Sequence, residues 1–121
     1  MPQELRKIIF SEDELKAAVI DHCMRSGIKL PKGMMTDFKA TPDVAATVII
    51  TYDTTEIHDD SEVKVGRDDV AAALIRHCGV NKIPLPRAAR KILKVEDGEV
   101  SLMVSIHWMP KKKNNSSRKP A

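Results

Sequence analysis

The sequence predicts an α+β protein: a duplicated (β)αββ unit whose strands form one antiparallel sheet, with two helices packed on one face and a pseudo-twofold axis relating the halves. Three observations predict it. First, Asp13–Cys23 reads DELKAAVIDHC and Asp68–Cys78 reads DDVAAALIRHC, so one pattern returns after 55 positions. Second, each copy runs into a matching tail: Ile28, Leu30 and Pro31 after the first, Ile83, Leu85 and Pro86 after the second. Third, Val100–Trp108 alternates with the period of two that marks a half-buried strand, and Val44–Tyr52 keeps one wholly apolar face at the same period.

The elements follow in order. Leu5–Phe10 (LRKIIF) reads as a first strand. Ser11 then opens a helix, with Glu14 three places on in the capping-box arrangement, and Glu12, Asp13 and Glu14 put negative charge at the positive end of the helix dipole. Leu15, Ala18, Val19, His22 and Cys23 recur at helical spacing and form the predicted inner stripe, while Gly27 supplies a stop. Pro31 keeps Leu30 out of the helical region, so 28–33 is an extended connector. A hairpin comes next: a strand at Thr36–Ala40, a turn at Thr41-Pro42-Asp43, and a strand at Val44–Tyr52. Val44, Ala46, Val48, Ile50 and Tyr52 share its inner face.

Asp53–Ser61 is acidic and polar and reads as the linker between a first repeat of about 5–53 and a second of about 61–109. The second restarts with a short strand, Glu62–Val65. A helix follows, headed by Asp68 and Asp69, with Val70, Ala73, Leu74, His77 and Cys78 on its inner stripe and Gly79 or Asn81 at its end. After Pro86 a helical turn is expected, then a strand at Lys91–Glu96, because Asp97-Gly98 is a strong hairpin signal that requires a strand before it. Val100–Trp108 closes the domain, so 1–109 is expected as one globular unit and 110–121, with no apolar anchor but the final alanine, as a disordered basic tail.

Composition narrows the function classes. Hydrophobic residues make up 42% and charged residues 31%, the balance of an ordinary soluble domain, and aromatics are only 3%, so the core is aliphatic. No apolar run approaches bilayer-spanning length and the first residues are too charged for a secretory signal, which excludes a membrane role and leaves the cytoplasm as the default compartment. The net charge of +3 is unevenly placed: 110–121 carry five basic residues and no acidic one. The remainder is net acidic, so an argument for polyanion binding rests on the tail and the second repeat.

No catalytic constellation is present. The sequence has no nucleophile with a matched base, no glycine-rich phosphate loop and no metal-ligand spacing, so a non-enzymatic protein without cofactor is predicted. His22-Cys23 and His77-Cys78 have the elements of a zinc set, yet adjacent helical residues diverge by about 100°, and both dipeptides continue an apolar stripe. They are read as core filling. Asp13, Asp68 and Asp69 have a structural role at helix starts, and Glu56, Asp59 and Asp60 lack the ligand pattern of a calcium loop.

One constellation points to a partner. Arg87, Arg90, Lys91 and Lys94, joined by Lys111, Lys112 and Lys113, are the candidate nucleic-acid contacts, because clustered cations neutralise phosphates and release counterions. The predicted function is therefore a small macromolecule-binding module, with nucleic acid as one candidate partner. The alternative is a protein-interaction or self-assembling module, a homodimer included, that uses the open sheet face carrying Thr47, Ile49, Thr51, Ser101, Met103, Ser105 and His107.

Overall fold

A computed structural model describes residues 2–53 and 60–107 and shows a mixed α+β chain. Its order is β1 (Gln3–Phe10), α1 (Glu12–Ser26), β2 (Met34–Ala40), β3 (Val48–Asp53), β4 (Asp60–Val65), α2 (Arg67–Val80), β5 (Arg90–Glu96) and β6 (Glu99–His107). The expected tail at 110–121, the end of the closing strand at Trp108 and the linker over 54–59 lie outside the described residues.

The strands do not form one sheet. They form two antiparallel three-stranded sheets, in the orders β1-β6-β5 and β2-β3-β4. The first strand therefore lies beside the last, with Gln3 opposite His107 and Phe10 opposite Val100. Alternation sets which face of a strand is buried; it carries no information on which neighbour the strand pairs with, and here both β1 and β4 add to a hairpin that is not their own next partner in the helix-hairpin order.

Helix α1 forms where the capping signals place it. Ser11 Oγ accepts the Glu14 N–H at 3.1 Å, Glu14 Oε1 accepts the Ser11 N–H at 2.9 Å, and Gly27 closes the helix in the left-handed region. Helix α2 starts differently. Its N-cap, Gly66, has no side chain to offer, and the carbonyl of Val44 accepts the Arg67 N–H at 2.9 Å instead. That carbonyl comes from the 41–47 loop, held by Thr41 Oγ1 donating to Ala46 O at 2.7 Å and Thr47 Oγ1 donating to Asp43 O at 2.8 Å. Val44 and Ala46, expected on a strand, are thus in this loop, and Val44 is exposed. Thr47 is buried rather than on an open sheet face.

Both helices and both sheets contribute to one continuous core. Leu15, Ala18, Val19 and Cys23 of α1 and Val70, Ala73, Leu74 and Cys78 of α2 pack with Val48, Ile50 and Tyr52 of β3 and Val100, Leu102, Val104 and Ile106 of β6. Each fully buried Leu or Ile contributes roughly 1.5–3 kcal/mol. The central strand of each sheet supplies the largest share, as expected for strands flanked on both sides. Asp97 and Gly98, with φ of 51° and 79°, make the two-residue turn between β5 and β6.

Candidate interaction surface

The outer face of the β1-β6-β5 sheet is built by simple alternation. On β5, Leu93 is buried while Arg90, Ile92, Lys94 and Glu96 point outward and are exposed. The register sets three rows across the sheet: Leu5, Ser105 and Arg90; Lys7, Met103 and Ile92; Ile9, Ser101 and Lys94. A fourth row at the hairpin end holds Glu99 and Glu96. Leu5 is 61% exposed, Ile9 54% and Ile92 41%, so three large aliphatic side chains share one small face. Its cations are unequal. Lys7 Nζ lies 3.5 Å from Glu99 Oε1, whereas Arg90 and Lys94 have no ion pair among the described residues.

Strand geometry splits the predicted cation cluster. Arg90 and Lys94 share the outer face, but Lys91, between them in parity, points inward and its Nζ donates to the Ala89 carbonyl at 3.2 Å. Arg87 is exposed on a turn in which the Ala89 N–H reaches Pro86 O at 3.0 Å, not on a helical turn. Lys111, Lys112 and Lys113 lie outside the described residues. The predicted open face is also divided: Ser101, Met103, Ser105 and His107 are on β6, where Ser101 is buried under its neighbours rather than open, and Ile49 and Thr51 are on β3 in the other sheet.

Sequence reading missed Arg67, whose guanidinium Nη2 donates to the Leu93 carbonyl. β5 is an edge strand, and this bond occupies one of its main-chain acceptors, a common way to blunt an edge. Nothing in the local pattern around Arg67 signals a partner 26 residues away. On the opposite sheet the edge strand β2 is interrupted at Thr36 by a register shift between Met35 and Asp37.

The paired His-Cys dipeptides resolve into two different roles. Cys23 and Cys78 are fully buried, free thiols, and burial pushes both above their ordinary range, helped by Asp69 beside Cys23 and Glu14 beside Cys78. The histidines are not core filling. His22 donates through Nε2 to Asp69 Oδ1 at 2.9 Å, and His77 Nε2 lies 3.9 Å from Glu14 Oε2, with the Phe10 ring set edge-on to its imidazole. Each histidine sits late in one helix and its acid early in the other, so the helices run antiparallel. Buried Ala18 and Ala73 lie between the two pairs. Among the described residues no group of three or more His, Cys, Asp or Glu is placed to hold a metal ion, and no helix is long and apolar enough to cross a membrane.

The chain matches no protein-family model, no curated protein and no solved structure.

Proposed function

We propose that the protein is a non-enzymatic module that binds a macromolecule through the outer face of the β1-β6-β5 sheet. The observation that carries this reading is the grouping of Leu5, Ile9 and Ile92 around Met103 with Arg90 and Lys94, which have no ion pair among the described residues, at the margin. Exposed aliphatics rimmed by charge have the composition of an interface, an apolar centre that gains by losing water and a polar border that sets register.

A second reading, nucleic-acid binding, draws on Arg87, Arg90 and Lys94 together with the five basic residues of 110–121. Titration of duplex and single-stranded DNA and RNA in a mobility-shift assay, at low and moderate salt, tests it. Salt-dependent binding that the R90E/K94E variant loses supports this version; no binding by the parent chain removes it.

The scaffold is read as a doubled (β)αββ unit in which each half gives its first strand to the other half's hairpin. Supporting this are the matched positions of His22 and His77, and of their acids Asp69 and Glu14, each histidine reaching the acid of the opposite helix. The pairing of β1 with β6 and of β4 with β3 fits the same exchange.

A further inference from the structure

We propose that the occupant of this face is a second copy of the chain, stacked antiparallel about a twofold axis that crosses the strands. The inference rests on the reading of the β1-β6-β5 face as the binding surface. What selects a second copy is that the face holds both halves of a complementary pattern. Arg90 stands at one end of β5, Glu96 at the other with Glu99 beside it, and Ile92 and Met103 lie between. A twofold axis between the Ile92 and Lys94 rows sets Arg90 over the second copy's Glu96, with Glu99, already paired with Lys7, on the next strand, and the same contact recurs in reverse. An isologous interface requires such self-complementarity. The same axis sets Ile92 over the second copy's Lys94 and Ile9 over its Lys7, so the aliphatic side chains are covered by lysine stems whose ammonium groups reach out to water.

Other occupants fit less well. A nucleic-acid backbone laid along β5 meets the carboxylates of Glu96 and Glu99 at one end and, among the described residues, finds no Phe, Tyr or Trp on this face to stack a base, only His107 at the far end of β6. An added β-strand at the β5 edge meets Arg67, already bonded to the Leu93 carbonyl. The size of the face sets the strength. Two strand spacings and about seven residues span roughly 10 by 24 Å, below the roughly 800 Å² per partner that stable complexes bury. The dimer is therefore weak and concentration-dependent.

The test is sedimentation equilibrium of the full chain across a wide concentration range, with three variants. The parent is expected to dimerise, with I92D abolishing the dimer and R90E and E96R each weakening it about tenfold or more, because each places like charges together twice. An equimolar mixture of R90E with E96R is expected to regain association, since every contact across that heterodimer is again between opposite charges. A parent chain that stays monomeric at the highest concentration, or a mixture no stronger than its components, overturns the second copy as occupant. If that monomer binds DNA or RNA through Arg90 and Lys94, the face remains the binding surface. If it binds neither, the wider reading falls as well.

Discussion

His22 Nε2 stands 2.9 Å from Asp69 Oδ1, tying the last turns of α1 to the first turn of α2. The imidazole is mostly buried and the carboxylate half exposed, so the contact is neither a free surface pair nor a desolvated one. A double-mutant cycle of His22→Ala with Asp69→Ala, followed by urea unfolding, should give a coupling of about 1 kcal/mol, the usual net contribution of one such hydrogen bond. The same cycle on His77 and Glu14, 3.9 Å apart, should give a smaller one. Equal couplings would mean that separation does not set the strength of these clasps.

The two thiols make the fold sensitive to alkali. Burial raises Cys23 and Cys78 above the ordinary value of 9.0, so their neutral forms are the ones the folded chain accommodates. A raised group contributes stability that is complete below its unfolded value and lost as pH climbs through the folded one. Stability should therefore decline from about pH 9 upward. The C23A/C78A variant should unfold more easily at neutral pH, because each buried CH2SH side chain is cut back to a methyl and leaves a small void, but its stability should fall less steeply over that alkaline range. Tyr52, also raised from 10.0, first by burial and then by Cys23, contributes to the slope that remains at higher pH.

Acid acts through the cap of α1. Glu14 is held below its ordinary 4.5, first by the Ser11 N–H and the Ser11 hydroxyl and then by His77. A lowered carboxylate contributes stability above its unfolded value and loses it as pH falls through the folded one, so the helix start weakens below about pH 4.5. Ser11→Ala should cost about 1 kcal/mol at neutral pH, as loss of an N-cap hydroxyl usually does. Its unfolding curve should also be flatter between pH 5 and 3, roughly the carboxylate range, when followed by circular dichroism.

Because β1 pairs with β6 and β4 with β3, neither half of the chain holds a complete sheet. A fragment ending at Asp53 keeps the β2-β3 hairpin but leaves β1 without its neighbour and half of the shared core exposed. Separately expressed fragments 1–53 and 54–121 should be unfolded alone by circular dichroism and gain native-like structure when mixed. Independent folding of either one would show that its own contacts suffice.

The two helices, the capping box at Ser11 and Glu14, the Asp97-Gly98 turn and most of the strand residues were legible because each depends on residues close in sequence, whereas 44–47, read as strand, are held in a loop by Thr41 and Thr47. The division into two sheets was not, since period-two alternation is satisfied equally by one sheet or two. Lys91 illustrates the same limit on the surface: in a charge cluster it looks equivalent to Arg90 and Lys94, but one step along a strand turns it to the opposite face. His22 and His77 fell on the apolar stripe, and only the antiparallel packing of the helices brings Asp69 and Glu14 within reach.

The two helices end alike in geometry but not in residue. Ile28 N–H reaches Cys23 O at 2.9 Å and Ile83 N–H reaches Cys78 O at 2.8 Å, the wrap-around bond of a helix finished by a left-handed residue. In α1 that residue is Gly27, at φ 77°; in α2 it is Lys82, at φ 60°. A side chain in this region brings Cβ against the following carbonyl, at roughly 1–2 kcal/mol, while glycine loses part of that gain to its freer unfolded chain. Lys82 is exposed, so its side chain has no packing to lose. Lys82→Gly should therefore stabilise the protein by about 0.5–1 kcal/mol in urea unfolding, and Gly27→Lys should destabilise it by a similar amount. A destabilised Lys82→Gly would show that backbone strain is not what distinguishes the two ends.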